Sequence, residues 1–447
     1  MSKPIRALFV ASELTPIAKV GGLGDVIGTL PKALSDLGVD VKIVIPKYGE
    51  IDNRNLKLVI SGWPTGFENE RINVYKTKFP KSSVEVFLIE NKKYLSRGPI
   101  YFEHTAFAGR FEEIQRFIFF SKAVFGLLNA EIFSSDIIHC HDWHTGALVT
   151  SIKRQTSSIK PKTIFTIHNL GNQGKWNFDK VTRWFGKNNF QKFGNNFNFI
   201  AEGVLNADLI TTVSPSYAKE ILTKEYGLGL ENLLRKRRKD LVGILNGIDY
   251  GFWPVSAKAS ADKPYTHPHF GFVARLTYQK GLSLLLPIIP EFIEKYGAEF
   301  HFLGQGEARF EKWLEKLSKK YPKKVFVKIG FDEKLAHRIY AQSDFFLIPS
   351  AFEPSGLGQM ISMHYGNIPI VRETGGLKDS VKHLKTGFVF KEKTSEALAK
   401  VMELAVDYFY NKPKQLKSMQ KNCRKQDFSW GHSANKYKAL YKNLLIS

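Results

Sequence analysis

Short apolar runs alternate with stretches of helical spacing along most of the chain, and this alternation starts afresh once. The first series of apolar runs covers 5–10, 41–45, 137–140, 163–167, 209–213 and 241–245. The second series covers 269–274, 299–303, 325–329, 345–348 and 368–371. Strands that alternate with helices are typical of parallel sheets covered on both faces, so the sequence predicts an α/β fold with two such sheets.

The stretch between the two series predicts a linker. Residues 253–268 hold Pro254, Pro264 and Pro268 and show little periodicity. We therefore expect a first domain over 1–252, a linker over 253–268 and a second domain over 269–427. From Phe428 onward, aromatic residues recur at helical spacing, which predicts a closing helix over 428–447.

Composition and charge narrow the class of protein. The 447 residues are 43% hydrophobic, which excludes disordered, collagen-like and low-complexity chains. The formal charge of +23 raises the question of a nucleic-acid partner. However, the densest basic run, 235–239, lies between leucine-rich segments like the polar end of an amphipathic helix. Solvated faces or an anionic small substrate are therefore favoured over a polyanion.

The sequence gives no sign of a membrane or secretory protein. The apolar run Ala7–Ala11 is too short for a membrane span and ends at Ser12 and Glu13. The chain has two cysteines, which fits a reducing compartment. We expect a cytoplasmic protein with no membrane partner.

A glycine-rich segment follows the first predicted strand, from Lys19 through Gly21 and Gly22 to Asp25. Glycines let backbone N–H groups approach a ligand closely, and the N-terminus of the following helix favours an anion. Lys19 adds a positive charge, and Asp25 can cap the helix or accept sugar hydroxyls. The spacing matches neither a Walker loop nor a Gly-x-Gly-x-x-Gly fingerprint, and a tight strand–helix turn is the alternative.

Histidines surround the end of the strand at 137–140. His139, His141 and His144 with Asp142 raise the question of a metal site. The first two alternate at period two, and zinc sites usually show a second cluster of ligands, so we favour a strand end that presents Asp142 and Trp143 to a carbohydrate.

His168 ends the next predicted strand. Its ring can hydrogen-bond to a sugar hydroxyl or to a developing charge, although a lone histidine is often structural.

In the second series of apolar runs, too, candidate polar residues follow the predicted strands. Arg275 and Lys280 flank a short loop after the strand at 269–274. Two fixed cations there suit a diphosphate leaving group, with a solvated face as the alternative. After the strand at 345–348, Ser355 and Gly356 predict a helix start that faces phosphate, and Glu353 is a candidate for sugar or ribose hydroxyls. An ordinary helix start remains open.

A further glycine pair, Gly375 and Gly376, precedes Leu377 after the strand at 368–371. The pair permits close approach of the backbone to a ligand, and a plain tight turn is the alternative.

The joint order of these motifs resembles the bacterial glycogen synthase and plant starch synthase family over about residues 5–443. The matching motifs are Lys-x-Gly-Gly-Leu-Gly-Asp, His-Asp-Trp, Ile-His-Asn, Leu-Asn-Gly-Ile-Asp, Arg-Leu-Thr-x-Gln-Lys-Gly, Phe-Glu-Pro-x-Gly-Leu, Thr-Gly-Gly-Leu and Asp-Phe-Ser-Trp. The resemblance implies two Rossmann-like domains facing across a cleft, the GT-B fold, with the C-terminal helix crossing back to the first domain. It assigns the acceptor to the first domain and the nucleotide-sugar to the second.

The resemblance also implies an activity. Such enzymes transfer glucose from ADP-glucose or UDP-glucose to the non-reducing end of an α-1,4-glucan such as glycogen, with retention of configuration and without a metal or other cofactor. The motifs offer no pair of carboxylates of the kind hydrolases place on both sugar faces. A front-face displacement assisted by the leaving group is the hypothesis that follows.

Site roles carry over residue by residue. By this resemblance, the catalytic residues are His168, Arg275, Lys280 and Glu353. The residues that bind the nucleotide-sugar are Lys19, Gly21, Gly22, Asp25, Asn246, Ser355, Gly356, Leu357, Gly375, Gly376 and Leu377. Asp142 and Trp143 are the expected sugar contacts on the acceptor side. The sequence departs from the family at Ser355 and Gly358, where the family often has Cys and Thr.

Two alternatives stay open at this point. One is another retaining GT-B transferase that acts on a small acceptor, such as a sucrose- or trehalose-type synthase, which the Lys-x-Gly-Gly start disfavours. The other is a non-catalytic glucan-binding or polyanion-binding protein of the same fold. The intact set of Lys19, His168, Arg275, Lys280 and Glu353 disfavours that second reading.

Overall fold

The computed structural model describes residues 3–80, 82–102, 111–155, 160–184, 190–255 and 266–446. The chain forms two compact units. The first unit comprises Met1–Val213, Ala218–Ile244 and Trp430–Ser447, and the second comprises Ser214–Tyr217 and Leu245–Ser429.

Eleven predicted apolar runs coincide with strands, and the structure describes seventeen strands. They are β1 Arg6–Val10, β2 Asp40–Pro46, β3 Lys57–Pro64, β4 Arg71–Lys78, β5 Glu85–Glu90, β6 Ile137–His141, β7 Lys162–Ile167, β8 Lys175–Asn177, β9 Asn196–Asn198, β10 Leu209–Thr212, β11 Leu241–Gly243, β12 His269–Val273, β13 Glu299–Gly304, β14 Val325–Ile329, β15 Phe345–Ile348, β16 Ile368–Arg372 and β17 Phe388–Phe390.

Helices occupy most of the segments between the strands. They are α1 Gly22–Ile27, α2 Leu30–Asp36, α3 Phe111–Asn129, α4 Gly146–Arg154, α5 Phe178–Thr182, α6 Phe199–Asn206, α7 Pro215–Glu220, α8 Lys224–Gly227, α9 Glu231–Lys236, α10 Leu282–Leu285, α11 Ile289–Tyr296, α12 Ala308–Lys320, α13 Glu333–Gln342, α14 Gly358–Tyr365, α15 Gly375–Ser380, α16 Ser395–Asn411, α17 Pro413–Arg424 and α18 Trp430–Ile446.

In the first unit, nine described strands form one sheet in the order β11-β10-β7-β6-β1-β2-β5-β4-β3. From β11 to β5 the neighbouring strands run parallel. β4 runs antiparallel to both β5 and β3, which the apolar pattern did not predict. β3 lies at the edge of the sheet and is mostly exposed, so its sequence lacks the buried run that marked the central strands.

In the second unit, six strands form a wholly parallel sheet in the order β14-β13-β12-β15-β16-β17. Apolar residues of the strands and of α10, α11, α12, α16 and α17 form one buried cluster. Because the strands run parallel, the carboxyl ends of β12, β15 and β16 lie at one edge of the sheet, where parallel sheets bind ligands.

The C-terminal helix α18 belongs to the first unit. Tyr437 and Tyr441 on this helix share an apolar cluster with Leu30 and Leu34 of α2. All four side chains are buried, so α18 covers part of the face of the sheet that α2 also covers.

The boundary between the units differs from the predicted domain boundary. Residues 245–252, which the sequence assigned to the first domain, cluster with the second unit. The physical reason is local pairing, because the N–H of Ile248 donates to the carbonyl of Phe428 at 2.8 Å. Tyr250 Oη also accepts from the N–H of Phe428 at 2.7 Å. Most of the predicted linker, residues 256–265, lies outside the described residues.

Within the described ranges, we find no helix that combines the length and the apolar character of a transmembrane span.

Candidate active site

The glycine-rich loop after β1 is held by Glu13, a buried carboxylate. Glu13 Oε2 accepts the backbone N–H groups of Val20 and Gly21, each at 2.8 Å. Its Oε1 accepts the hydroxyl of Tyr101 at 2.7 Å. Sequence reasoning missed Glu13, although a carboxylate directly after a buried strand, 3% exposed here, was a usable signal.

Within that loop, Lys19 and Asp25 pair with each other. Lys19 Nζ lies 2.6 Å from Asp25 Oδ1, and burial raises the pKa of Asp25 against the effect of the lysine. Gly24 is packed, because a Cβ there would lie 3.0 Å from Glu13 Oε2. A Cβ on Gly22 would meet no described atom within 4 Å. The absence of a side chain at Gly22 thus leaves open space at the start of α1.

Asp142 holds the backbone at the end of β7. It adopts φ +56° directly after β6, and its Oδ1 accepts the N–H of His168 at 2.7 Å. Asp142 is 7% exposed, and burial raises its pKa to about 7. The contact observed for Asp142 is therefore with the backbone of His168.

The side chain of His168 contacts a second histidine, His141. His168 Nε2 and His141 Nδ1 lie 3.0 Å apart, and both rings are buried. Burial lowers the pKa of His168 to about 3, so the ring is neutral at physiological pH. One of the two nitrogens must donate and the other accept, which fixes complementary tautomers of the two rings.

The remaining histidines at β6 are structural. His139 Nδ1 lies 2.7 Å from Tyr441 Oη, and its Nε2 lies 2.6 Å from Thr166 Oγ1. Among the described residues, His139, His141 and His144 do not form a group with metal-ligand separations. These histidines form a buried cluster that is held by hydrogen bonds and ring stacking.

Trp143 packs into the core of the first unit. Its ring is 7% exposed and lies edge-to-face with Phe117 at 5.0 Å, with the His144 ring at 4.3 Å. Gly174 must lack a side chain because a Cβ there would overlap the Trp143 ring. This packing argues against the predicted stacking of Trp143 on a sugar, since the ring presents little surface to solvent.

In the second unit, Lys280 and Glu353 form an ion pair. Lys280 Nζ lies 2.6 Å from Glu353 Oε2, and Ser350 Oγ donates to the same oxygen at 2.8 Å. Lys280 follows β12 and Glu353 follows β15, two strands that are neighbours in the sheet. The fold therefore brings these two predicted residues together, and Glu353 is 5% exposed.

Arg275 occupies the same loop as Lys280 but is exposed. Its Nη2 donates to Gln279 Oε1 at 3.0 Å. An exposed guanidinium beside a strand end remains accessible to an anion.

The glycine pair at the start of α15 lies against the Glu353 loop. Gly375 has φ +45°, and a Cβ there would overlap the carbonyl oxygen of Glu353. A Cβ on Gly376 would likewise overlap the carbonyl oxygen of Ser355. These glycines are thus required for the packing of two loops, and Leu377 beyond them is a fully buried core residue.

Three buried polar atoms of the second unit have no hydrogen-bond partner among the described residues. They are Ser355 Oγ, Gln359 Oε1 and Asn246 Oδ1. α14 begins at Gly358 rather than at Ser355, so Ser355 and Gly356 lie in the preceding loop, with Leu357 at the helix cap. A cavity of about 40 Å³ opens beside them, lined by Lys280, Ser350, Glu353 and Gln359 among others. Gln359 was not singled out from the sequence.

Comparison with known proteins gives full-length matches. The model of the starch synthase catalytic domain matches residues 6–236, and that of glycosyl transferases group 1 matches residues 256–426. A glycogen synthase from Thermodesulfovibrio yellowstonii is 39% identical over 99% of this chain and 98% of its own. A glycogen synthase from Bacillus cereus is 37% identical over 98% of this chain and 99% of its own.

Solved structures agree with these matches. The catalytic domain of starch synthase IV from Arabidopsis thaliana, bound to ADP and acarbose, superposes with a TM-score of 0.87 at 29% identity over 100% of both chains. A sucrose-phosphate synthase from Thermosynechococcus elongatus, at 17% identity and a TM-score of 0.68, shares the fold. The predicted family and fold class are confirmed: this chain is a glycosyltransferase of GT-B fold that belongs to the glycogen synthase and starch synthase family.

Proposed function

We propose that this enzyme transfers glucose from a nucleotide-glucose donor, ADP-glucose or else UDP-glucose, to the non-reducing end of an α-1,4-glucan such as glycogen, with retention of configuration. The names of the relatives support the acceptor class. The plant relative was solved with ADP and acarbose, and ADP is the product that ADP-glucose leaves behind. ADP-glucose is therefore the donor to test first.

The observation that carries the proposal is the contact between Lys280 and Glu353. Cleavage of the anomeric C–O bond places negative charge on the departing diphosphate. Lys280 is a fixed cation at a strand end, where it can stabilise that charge. In our proposal the diphosphate takes Lys280 from Glu353, and the released carboxylate accepts hydroxyls of the transferred glucose.

Arg275 assists Lys280 in this proposal. Its guanidinium is exposed beside the same strand end, and such a group binds phosphate through two parallel N–H donors. The unpartnered Ser355 Oγ and Gln359 Oε1 supply further polar contacts at the same loop. We extend the nucleotide-sugar site to Asn246, Gly356, Leu357, Gly375, Gly376 and Leu377 as the family motifs suggest.

The first unit contributes the glycine-rich loop and His168. We assign Lys19, Gly21, Gly22 and Asp25 to the donor's phosphates and glucose, because open space at Gly22 allows the backbone to approach a ligand. His168 faces the transferred glucose as a neutral ring. Asp142 is a positioning residue that holds the backbone of His168.

The proposal needs no metal or organic cofactor for the transfer, since Arg275 and Lys280 supply the positive charge. The first unit is the acceptor side, and the second unit is the nucleotide-sugar side. A cytoplasmic location is part of the proposal, and the two cysteines, Cys140 and Cys423, are both free and buried.

Transfer of labelled glucose tests this proposal. The protein is incubated with glycogen and either ADP-glucose or UDP-glucose carrying ¹⁴C in the glucose, and label is counted in polymer and in free glucose. We expect label in polymer that α-amylase releases as maltooligosaccharides. Label in free glucose alone would show hydrolysis and contradict the proposal, and label in neither fraction with both donors would also contradict it.

A further inference from the structure

A cluster of histidines and one glutamate lies at the amino ends of β12 and β13, away from the strand ends that carry Lys280 and Glu353. In the parallel register of these strands His269 pairs with Glu299, and Gly271 pairs with His301. Side chains two residues apart on a strand point to the same face. His267, His269, Glu299 and His301 therefore share one face, and we call these four residues the histidine cluster.

The donor atoms of this cluster converge on the carboxylate of Glu299. Its Oε1 lies 2.6 Å from His267 Nε2. Its Oε2 lies 3.5 Å from His269 Nε2 and 3.9 Å from His301 Nε2. The ligand atoms of His267, His269 and Glu299 all lie within 4.8 Å of one another. Neighbouring ligands of a tetrahedral Zn²⁺ are about 3.3 Å apart, so modest side-chain adjustment brings this set to bonding geometry.

The environment suits a cation. His301 Nε2 is buried and has no hydrogen-bond partner among the described residues, so its lone pair or proton is unsatisfied. The ring of His301 stacks on Phe326 at 4.8 Å, which holds its plane. Imidazole nitrogens with one carboxylate are donors that Zn²⁺ accepts readily, whereas Mg²⁺ and Ca²⁺ prefer oxygen alone.

We propose that the histidine cluster binds one divalent transition-metal cation, and that Zn²⁺ is the ion its donor set fits best. The metal uses Oε2 of Glu299 with His269 and His301, and His267 completes the set. Lys324 Nζ lies 3.5 Å from Oε1 of the same carboxylate and can keep that contact. The ion joins β12, β13 and the segment before β12, and its role is to stabilise the second unit.

Calorimetric titration of ZnSO₄ into the full chain tests this inference. The protein is freed of any affinity tag, treated with chelator and dialysed into a non-chelating buffer. We expect one zinc per chain, a higher Tm with zinc, and no comparable binding of Mg²⁺. Co²⁺ in place of zinc should give the visible absorption of a tetrahedral site.

Variants assign the binding to the cluster. His267→Gln and His301→Gln should each weaken zinc binding at least about tenfold. His432→Gln removes an exposed histidine elsewhere and should bind zinc like the parent protein. Circular dichroism without zinc checks that each variant is folded, and the partly exposed His267 is the substitution least damaging to the core.

Two results would overturn the inference. One is the absence of saturable zinc binding in the parent protein. The other is equal zinc affinity in the parent, His267→Gln and His301→Gln. Neither result bears on glucose transfer, because the cluster lies at the other end of the sheet from Lys280 and Glu353.

Discussion

Lys280 Nζ and Glu353 Oε2 lie 2.6 Å apart at the carboxyl ends of two adjacent parallel strands, with the lysine side chain 19% and the glutamate side chain 6% exposed. The second unit thus holds a largely buried cation next to a carboxylate. A negatively charged ligand that competes for Lys280 changes the partners of both groups at once.

The substitution Lys280→Ala should lower kcat about 10²–10³-fold, because a charge that stabilises the leaving group is lost. It also leaves Glu353 buried without its cation, so Tm should fall. Initial rates are measured at a temperature where circular dichroism shows the variant to be folded. Lys312→Ala, on the exposed face of α12, is the matched control and should keep the parent's kcat. A folded Lys280→Ala enzyme with parental kcat would contradict the assignment.

The substitution Gly22→Ala separates a ligand role from a folding role. A Cβ at Gly22 meets no described atom within 4 Å, and alanine at such a position stabilises by about 0.4–1 kcal/mol because it restricts the unfolded chain. Tm should therefore hold or rise, while kcat/KM for the donor falls at least about tenfold because the methyl group obstructs the approaching phosphate. Gly126→Ala within α3 is the control. Unchanged kcat/KM in Gly22→Ala would remove this loop from the donor site.

The substitution Glu13→Leu should disorder the glycine-rich loop. Glu13 Oε2 accepts two backbone N–H groups, and a leucine in that place leaves both donors without this acceptor. We expect a loss of about 1–3 kcal/mol in the free energy of unfolding, together with a higher KM for the donor. Tyr101→Phe removes the bonds to Glu13 Oε1 and Ser12 Oγ but keeps both loop N–H bonds, so it should have the smaller effect on KM. Equal KM values for both variants and the parent would show that the loop needs no such anchor.

The substitution Ser355→Ala tests an unpartnered hydroxyl. Ser355 Oγ is buried without a partner among the described residues, so its removal should leave stability unchanged or slightly higher. The KM for the nucleotide-glucose should rise severalfold if the hydroxyl contacts the donor. Ser362→Ala breaks an existing bond to the carbonyl of Gln359 and should instead lower Tm with little change in KM. A parental KM in Ser355→Ala would exclude that contact.

The stability of the first unit should depend on the pH through His139. Burial lowers its pKa from 6.5 to about 3. As the pH falls from 6.5 towards 3, the unfolded chain takes up a proton that the folded chain does not, so stability falls by about 1.4 kcal/mol per pH unit for this group. His139→Gln should be destabilised at pH 8, where contacts to Tyr441 and Thr166 are lost. In urea unfolding, the difference in the free energy of unfolding between His139→Gln and the parent should be smaller at pH 5 than at pH 8. A difference that does not change with the pH would contradict the burial argument.

Much of the architecture follows from local sequence. The central strands β6, β7, β12 and β15 are apolar runs buried on both faces, and their predicted positions agree with the structure to within about two residues. β3 escaped prediction because an exposed edge strand needs no apolar run. β3 pairs with β4 in an antiparallel hairpin at the edge of the sheet, and the apolar pattern did not predict β4 either.

The candidate site was predictable in part. Lys280 and Glu353 are 73 residues apart, yet each follows a strand, and adjacent parallel strands bring their ends together. Glu13 was missed although a carboxylate soon after a buried strand is a usable signal, and Gln359 was missed because its role depends on contacts that no spacing encodes. Trp143 stays a predicted sugar contact, and the sequence did not show that its ring packs against Phe117 in the core.

Binding of ADP tests the central claim most directly, since it requires neither acceptor nor turnover. Calorimetric titration of ADP into the parent protein should give saturable binding, weakened at least about tenfold in Lys280→Ala and in Arg275→Ala and unchanged in Lys312→Ala. Equal ADP affinity in the parent and in both site variants would contradict the account.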